Sequence, residues 1–348
     1  MDKYDAVVIG GGPSGSAAAY TLAKKGKKVL IIDKDKFPRQ KLCGGMMTEK
    51  DIKLLKKIFG QISFKNIIDS TFSTYEIYHK NFGLLNSYTS TKDKIYLVNR
   101  KIFDNYLLQK ALKLGCDFKQ KNITNIKQIK AALIIGADGA NSIVRRAFKE
   151  KINNKNYALA LEIEVDKKDV LVVKYPRIYF GYINHGYAWV FPRHDKMVIG
   201  IGATTSRNKE NIRSLFIKFL KDVLIVDHKK YQIYGHPIPA QNYVKNPVQA
   251  NLRLVGDAAG FIEPLTGEGI YFALNSGYLA AQTNYKYHPI QKLLRQAEFM
   301  KNIFYHPLVH HFAMLRLKKN PAHCKNFFRL ISGKIDYRGY VTRSLFQK

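Results

Sequence analysis

Short, continuous apolar runs open the chain and are separated by small and polar residues. Residues 6–9 (AVVI) and 29–32 (VLII) have the composition of parallel strands that are buried on both faces. A glycine-rich stretch at 10–15 follows the first run, and the alanines of 17–19 come directly after it. This order predicts a strand, a tight turn, a helix and a second strand parallel to the first.

A second pattern, strict alternation of apolar and polar residues, appears further along the chain. It is clearest at residues 75–78 and 161–165, and its period predicts half-buried strands of an antiparallel sheet. Neither an internal repeat nor a low-complexity linker separates the two kinds of segment. We therefore expect one interleaved globule in which the parallel-sheet domain is discontinuous in sequence.

The glycine-rich turn has the spacing of a dinucleotide fingerprint. Its first two fingerprint glycines provide the tight turn and the close backbone approach that a pyrophosphate requires, and the third lets the helix lie against the strand. The free N–H groups at the helix start would bind the phosphates, and the acid that ends the second strand would bind a ribose diol. The residues predicted for these roles are Gly10, Gly12, Pro13, Ser14, Gly15, Asp33 and the neighbouring Lys34.

Composition and charge limit the class of protein. Apolar residues make up 46% of the 348 residues, which is enough for a buried core. The chain has 58 Lys and Arg against 26 Asp and Glu, and the resulting formal net charge of +32 favours anionic partners. Three explanations stay open: a nucleic-acid surface, a surface for anionic lipid or a phosphorylated substrate, and a general bias in composition. Because no uninterrupted basic block is present, nucleic acid is the least favoured.

The three cysteines indicate the compartment. Cys43, Cys116 and Cys324 share no CxxC spacing and are odd in number, so we expect neither a disulfide framework nor a metal site, and a reducing cytoplasm. The chain begins directly with a strand pattern and has no apolar run of about 18 residues, so we expect no secretory signal and no membrane span. Contact with the inner face of a membrane would be peripheral.

Two later segments favour FAD over NAD as the dinucleotide. Residues 133–145 (LIIGADGANSIVR) and 252–260 (LRLVGDAAG) each place an apolar strand before a turn that contains an aspartate. They resemble the GADGxxSxVR motif and the second FAD motif of enzymes of the para-hydroxybenzoate hydroxylase fold group. The resemblance implies bound FAD, with Asp138 in the first motif and with Gly256 and Asp257 in the second, where the aspartate serves the ribityl chain.

Further segments narrow the resemblance to one family. Residues 37–45 (FPRQKLCGG), 187–192 (YAWVFP) and 261–270 (FIEPLTGEGI) are similar to the cysteine-glycine loop, the YxWxFP segment and the PxTGEGI turn of the geranylgeranyl reductase family. The stretch that begins at Arg100 (RKIFDNYL) matches the family's RxxFDxxL helix. Together the matched segments cover residues 1 to about 285.

The family resemblance implies a role for each matched segment. Cys43, Gly44 and Gly45 would form the catalytic loop near the flavin, and Tyr187, Trp189, Phe191 and Pro192 would line the substrate cavity. Besides the fingerprint, the implied cofactor-binding residues are Arg39, Lys41, Arg100, Asp138, Gly256, Asp257, Gly267, Glu268, Gly269 and Ile270. Judged by residue type alone, the alternatives are that Cys43 is an inert small apolar residue, that residues 187–192 are a core strand and that Arg100 is a surface residue.

These assignments define the predicted architecture. The fold class is α/β: a Rossmann-type FAD-binding domain with a mixed three-layer architecture, an antiparallel β-sheet substrate domain and a C-terminal helical tail. The boundaries are residues 1–70, 97–157 and 244–285 for the FAD-binding domain, 71–96 and 158–243 for the substrate domain, and 286–348 for the basic C-terminal helical region.

The implied reaction is reduction of an isolated C=C bond of a prenyl or polyprenyl lipid by hydride from N5 of reduced FAD. Cys43 is the candidate proton donor, and the backbone N–H groups of residues 267–269 would stabilise negative charge near flavin N1. Because no second GxGxxG occurs, NADPH would dock transiently. A ferredoxin-type donor is equally compatible, since a basic surface suits an acidic electron-transfer partner.

Two other functions stay open from the sequence. An FAD-dependent monooxygenase, either an aromatic hydroxylase or a halogenase, would use the same fold, although the halogenase segment WxWxIP is not matched. A protein of another class would hold FAD structurally while its basic surface binds RNA or a membrane.

The C-terminal tail carries two weaker signals. His306 and His310 are four residues apart, a spacing that suits a metal, but Pro307 lies between them and no carboxylate is near, so we expect a surface helix. Residues 299–317 are apolar on one side and are followed by Lys318 and Lys319, a pattern that favours contact with an anionic bilayer.

Overall fold

The apolar runs that open the chain form the centre of a six-stranded sheet. We describe a computed structural model over residues 4–148, 157–224, 227–282 and 287–346. The strand order is β15-β16-β9-β1-β2-β8, and every neighbouring pair is parallel except β15 and β16. The strands are β1 (Ala6–Ile9), β2 (Val29–Asp33), β8 (Asp117–Gln120), β9 (Leu133–Gly136), β15 (Val248–Gln249) and β16 (Leu252–Leu254).

Helices cover this sheet, as its doubly buried strands require. Helix α1 (Pro13–Ala23) lies between α4 (Arg100–Leu112) and α6 (Ile270–Ala280). The approach of α1 and α6 is so close that a Cβ on Gly277 would lie 2.1 Å from the carbonyl oxygen of Ser14. Helix α2 (Glu49–Phe59) packs on α6 and begins with a capping box formed by Thr48 and Asp51, and a short α3 (Phe64–Ile67) follows it.

A small three-stranded sheet joins the two halves of the molecule. Its order is β3-β7-β4, from Met46–Met47, Ile95–Leu97 and Ser70–Phe72, all antiparallel. Residues 71–96 are predicted to belong to the substrate domain, and the strands at the two ends of this range pair in the small sheet. Leu97 pairs with both Met46 and Ser70, so Ile95–Leu97 is the middle strand of this small sheet. The hairpin of residues 74–89, between the two end strands, belongs to the seven-stranded sheet described next.

The alternating segments form a seven-stranded sheet of order β14-β10-β13-β12-β11-β5-β6. Neighbouring strands are antiparallel except β5 and β11, which run parallel. The prediction of an antiparallel sheet is thus confirmed apart from this one pair. The strands are β5 (Thr74–His79), β6 (Gly83–Thr89), β10 (Ala158–Asp166), β11 (Arg177–Phe180), β12 (Gly186–Pro192), β13 (Lys196–Thr204) and β14 (Tyr234–Ile238).

The two faces of the seven-stranded sheet serve different purposes. On one face, side chains such as Ala188 and Val190 form a core with α5 (Ile212–Leu224), which contributes Phe216 and Phe219. Since side chains alternate along a strand, Tyr187, Trp189 and Phe191 point to the other face. That face is turned towards the first sheet and the C-terminal helices.

The C-terminal region is helical, as predicted. It comprises α7 (His288–Phe304), α8 (Pro307–Lys319), α9 (Pro321–Ile331) and α10 (Tyr337–Phe346). The start of α7 packs on the core of the first sheet through Ile290 and Leu294, whereas α8 and α9 pack on the second sheet. Residues 299–317 are divided between α7 and α8, because Pro307 begins a new helix. In the described part of the chain, no helix has the length and apolar composition needed to cross a membrane.

Candidate active site

A cavity of about 590 Å³ lies where the carboxyl ends of β1, β2 and β9 meet the inner face of the seven-stranded sheet. Ligands of open parallel sheets bind at this edge. The wall of the cavity contains residues from the glycine-rich turn, the cysteine-glycine loop, β12, the 261–270 turn and α7. Every predicted site residue except Gly15, Pro192 and Gly256 contributes to the lining.

These three residues are outside the lining of the cavity and have roles in packing and hydrogen bonding. A Cβ on Gly15 would lie 1.8 Å from the carbonyl oxygen of Gly10, so only glycine allows this contact between helix and strand. Gly256 adopts a φ of 55° and donates its N–H to the Ser276 hydroxyl of α6 at 2.9 Å. Pro192 ends β12 and is buried outside the lining.

The turn between β1 and α1 presents a helix N-terminus to the cavity. Gly12 is the N-cap residue and Pro13 occupies the first helical position, where its missing N–H costs nothing. The Asp33 carboxylate at the end of β2 accepts hydrogen bonds from the N–H groups of Gly11 (2.7 Å) and Asp35 (2.9 Å). The acid therefore fixes the loop while lining the cavity beside Lys34.

A buried cluster of two arginines and one aspartate adjoins this turn. Arg100 pairs with Asp104 through two hydrogen bonds of 2.7 and 2.9 Å, and Asp104 raises the pKa of the guanidinium against the effect of burial. Arg39 lies 3.4 Å from the same carboxylate and packs over the Phe37 ring. Its Nη1 atom is buried and has no hydrogen-bond partner among the residues that the structure describes.

The unpartnered nitrogen of Arg39 tests whether these residues fit a dinucleotide. Its guanidinium is so close to the glycine-rich turn that a Cβ on Gly12 would lie 3.3 Å from Nη2. A buried guanidinium nitrogen without a partner is costly, and a phosphate oxygen is the acceptor that suits it. The pyrophosphate of FAD would be held there by Arg39 and by the N–H groups at the start of α1, so the residues fit the cofactor.

Lys41 and His236 form a contact that the sequence did not predict. Lys41 Nζ donates to Nε2 of His236, which β14 brings to the cavity across 195 residues of sequence. Burial lowers the pKa of Lys41 to about 8, and burial together with Lys41 lowers that of His236 to about 4. The imidazole is therefore neutral, and the pair lies near Asp257 and Arg100.

The aspartates of residues 133–145 and 252–260 both face this region. Asp138 accepts hydrogen bonds from the Ser142 hydroxyl (2.5 Å) and the Ile143 N–H (2.7 Å), and burial raises its pKa. Asp257 lies in the short helical turn of residues 256–259, and Ile262, five residues later, also lines the cavity. Both aspartates line the cavity.

The cysteine-glycine loop is held from both sides by charged groups of the seven-stranded sheet. The Cys43 N–H donates to Glu162 Oε1 at 3.2 Å, and Arg193 Nη2 donates to the Cys43 carbonyl at 3.4 Å. The other Glu162 oxygen accepts from Trp189 Nε1 at 3.3 Å, and burial raises the pKa of this carboxyl to about 7. A Cβ on Gly44 would lie 2.7 Å from the Phe191 ring, so the loop touches the aromatic wall.

The turn at residues 263–269 precedes α6 and is tied together by its first acid. Glu263 accepts hydrogen bonds from the N–H groups of Leu265 (2.9 Å) and Thr266 (2.5 Å) and from the Tyr337 hydroxyl of α10 (2.5 Å). Gly269 is the N-cap residue of α6, so the N–H groups of this helix start face the cavity region.

Glu268 in this turn forms an ion pair that the sequence did not predict. Its carboxylate lies 2.5 Å from Lys50 Nζ of α2. Burial raises the pKa of Glu268 to about 8. Burial alone would lower the pKa of Lys50, but the neighbouring Glu268 outweighs that effect, so the pKa of Lys50 is raised. The pair fixes the turn against α2.

The part of the cavity that β12 lines is aromatic on one side. Tyr187, Trp189 and Phe191 follow one another on β12, and Tyr187 donates its hydroxyl to the Thr266 carbonyl. A Cβ on Gly200 would lie 2.2 Å from the Trp189 ring, so this glycine of β13 makes room for the indole. The far end of this part is closed by Lys301 and Tyr305, which sequence analysis did not single out.

The histidines of the tail do not build a metal centre in the described residues, where no group of three His, Cys, Asp or Glu side chains is suitably placed. His306 is the N-cap residue of α8, and His310 stacks on Tyr305 with ring centroids 5.7 Å apart.

Fold and site together define an FAD-dependent oxidoreductase. A family described as FAD dependent oxidoreductase matches residues 5–117. An uncharacterized protein of Methanosarcina barkeri is 35% identical over 299 residues, covering 81% of this chain and 74% of that one. A digeranylgeranylglycerophospholipid reductase of Methanococcus vannielii is 29% identical over 308 residues, covering 81% and 76%.

The fold is shared with a solved structure described as geranylgeranyl bacteriochlorophyll reductase-like, from Thermoplasma acidophilum. The TM-score is 0.71 at 24% identity, and the alignment covers 100% of this chain and 97% of the other. The chain belongs to the geranylgeranyl reductase family of FAD-dependent oxidoreductases.

Proposed function

We propose that this enzyme reduces isolated C=C bonds of a prenyl or polyprenyl lipid. The observation that carries the proposal is that the aromatic wall of β12, the cysteine-glycine loop and the dinucleotide turn line the same cavity. An apolar chain would lie along Trp189 and Phe191, with one double bond beside Cys43. The name of the relative from Methanococcus vannielii supports a prenyl substrate.

Bound FAD in its reduced form supplies a hydride, and a proton completes the reduction, so that the C=C bond becomes CH–CH and the flavin is oxidised. In our proposal Cys43 delivers that proton to the second carbon from its thiol and regains one from water. The Cys43 thiol accepts the N–H of Gly45 at 3.4 Å, which restricts its orientation. Glu162 and Arg193 position the loop and do not touch the substrate.

The start of α6 is proposed to stabilise the reduced cofactor. The N–H groups after Gly267 carry the positive end of the helix dipole, which favours a neighbouring negative charge. Glu268 lies in the same turn, and an isolated negative charge there would oppose the positive end of the helix dipole. Lys50, 2.5 Å from the Glu268 carboxyl, balances that charge. We propose that Asp257 holds the ribityl chain and Asp33 the ribose, as their motifs imply.

The electrons are proposed to come from NADPH, docked transiently, or from a ferredoxin-type donor. A net charge of +32 favours association with an acidic partner, and the association would weaken as salt concentration rises. Reduction rates measured with each donor across a salt series decide between them.

We also propose peripheral attachment to an anionic membrane. Five large apolar side chains of α7 and α8 are exposed, and Lys318 and Lys319 at the end of α8 are exposed beside them. The five are Phe299, Ile303, Leu308, Val309 and Phe312, exposed by 66, 38, 68, 39 and 64%. Apolar side chains flanked by lysines suit a bilayer that contains anionic lipid. The protein should co-sediment with vesicles containing anionic lipid, and indifference to anionic lipid would contradict the proposal.

The reductase proposal is tested by product analysis. The purified protein is supplied with a chemical reductant and a geranylgeranyl or undecaprenyl compound under nitrogen. A gain of about two daltons per reduced bond supports the proposal. Products that contain oxygen or halogen, formed only in air, would instead support the monooxygenase alternative. Stable FAD binding without any redox product would favour the binding-protein alternative.

A further inference from the structure

Helix α7 places a charged side chain in the wall of the cavity, beside the aromatic residues of β12. Lys301 is only 5% exposed and lines the cavity, and its Nζ donates a hydrogen bond to the Thr204 hydroxyl at 2.8 Å. An ammonium group has three N–H donors, so one bond to a neutral hydroxyl leaves two of them available.

No carboxylate pairs with this ammonium among the described residues. Its one hydrogen bond is the contact with Thr204. The nearest acids are Glu263 and Glu298, which act on it only at longer range. Glu263 already accepts hydrogen bonds from its own turn and from Tyr337. Buried charges in proteins are normally paired, so an unpaired one in a cavity wall indicates a site for an anion.

Neighbouring groups enclose the same place and add positive charge. The Tyr305 ring, which follows the last residue of α7, lines the cavity and is fixed by a hydrogen bond of 3.3 Å from its hydroxyl to the Gly186 carbonyl. His185 also lines the cavity, with its ring centroid 5.2 Å from that of Tyr305. The exposed Arg207 is close enough to lower the pKa of both His185 and Lys301, in each case after the larger effect of burial.

This polar group lies at the opposite end of β12 from the cysteine-glycine loop. Gly44 contacts Phe191 near the end of the strand, whereas Tyr305 bonds to Gly186 at its start. Five residues of extended chain separate the two points by about 16 Å. Between them the wall is aromatic, formed by Tyr187 and Trp189.

We propose that Lys301, with the hydroxyl of Thr204, binds an oxyanion head group of the phosphate class on the substrate, while the apolar chain runs along β12 to Cys43. The inference rests on the proposed function for the identity of that chain. It makes the substrate an amphiphile whose charged end is held about 16 Å from the reacting double bond. The same helix carries Phe299 and Ile303 on its exposed side, so the head group would be bound next to the proposed membrane surface.

The test compares two probes of equal chain length, geranylgeranyl diphosphate and geranylgeraniol, with the oxidised holoprotein. Calorimetric titration gives the Kd of each probe without turnover. We expect Lys301→Met to weaken binding of the diphosphate at least tenfold and to change binding of the alcohol less than threefold. Lys292→Met, at an exposed position of α7, is the matched control and should change neither Kd.

Two further measurements keep the result decisive if Lys301→Met loses FAD or unfolds. Lys301→Arg retains the charge and should keep diphosphate binding within about fivefold of wild type. Inorganic diphosphate should compete with geranylgeranyl diphosphate on the wild-type protein and leave geranylgeraniol unaffected.

Three results would overturn the head-group site. The first is an equal loss of affinity for both probes in Lys301→Met, which would assign Lys301 to packing. The second is no loss for either probe. The third is an absence of competition by inorganic diphosphate. If wild type binds neither probe, the prenyl function itself fails, and that outcome is distinct because it does not depend on any variant.

Discussion

The backbone N–H of Cys43 donates a hydrogen bond of 3.2 Å to the carboxylate of Glu162, which lies 119 residues further along the chain. The same carboxylate receives the Trp189 indole N–H. One buried acid of β10 thereby connects the cysteine-glycine loop of the first domain to the aromatic wall of the second. The position of the candidate proton donor relative to the substrate depends on this contact.

Replacement of Glu162 by glutamine should change how stability depends on pH. Burial raises the pKa of the folded-state carboxyl from 4.5 to about 7, so the wild-type protein loses stability as pH rises through that interval. Glu162→Gln lacks this titration. Between pH 4.5 and 8 its free energy of unfolding should therefore gain on that of wild type by up to about 3 kcal/mol. Urea unfolding at several pH values measures the difference, and parallel curves would contradict the predicted pKa shift.

Replacement of Cys43 by serine should reduce turnover and spare the cofactor site. A hydroxyl is a much weaker acid than a thiol, so we expect kcat to fall by about 10²-fold, whereas the Kd for FAD should stay within about twofold. Cys324→Ala provides a matched control, because this cysteine is buried away from the cavity. An unchanged rate in Cys43→Ser would remove the thiol from the mechanism.

Replacement of Arg39 by methionine should weaken FAD binding specifically. The variant loses a buried guanidinium whose Nη1 has no protein partner, and charge-assisted hydrogen bonds contribute about 1.5–3 kcal/mol. We expect the Kd of the apoprotein for FAD to rise by about tenfold to 10²-fold. Fluorescence titration of apoprotein with FAD measures it, with Arg213→Met on the exposed side of α5 as control. Equal Kd values for Arg39→Met and wild type would show that Arg39 does not bind the pyrophosphate.

Gly44 and Phe191 should be energetically coupled. A Cβ at position 44 would lie 2.7 Å from the Phe191 ring, so Gly44→Ala must displace the ring or the loop. We expect Gly44→Ala to lower kcat/KM and the smaller side chain of Phe191→Leu to restore part of the loss in the double variant. The coupling free energy should be about 1–2 kcal/mol. Simple additivity of the two single effects would show that loop and wall are independent.

The parts of the site that the sequence predicted are those built locally. The segment from residue 6 to residue 23 combines a strand, a turn with four glycines and a helix, and its chemistry follows from that order. The turn of residues 263–269 is recognisable for the same reason, since Gly269 caps the helix that follows it.

The parts that the sequence did not reveal are brought together over long distances. His236 meets Lys41 across 195 residues, and Lys50 meets Glu268 across 218. Glu162 belongs to a strand in which apolar and polar residues alternate, and the polar positions of such a strand normally face water. In β10 the side chain of Glu162 instead faces the cysteine-glycine loop. Lys301 is one of 58 Lys and Arg, and its burial in the cavity wall is a result of the packing of α7 that the neighbouring sequence does not show.

The central claim is tested most directly by anaerobic reoxidation of the flavin. The holoprotein is reduced with dithionite under argon and mixed with a geranylgeranyl compound or with its fully saturated analogue, while flavin absorbance is followed. We expect reoxidation by the unsaturated compound only, with one double bond saturated for each flavin oxidised. A flavin that stays reduced with both compounds and is reoxidised only when oxygen is admitted would contradict it.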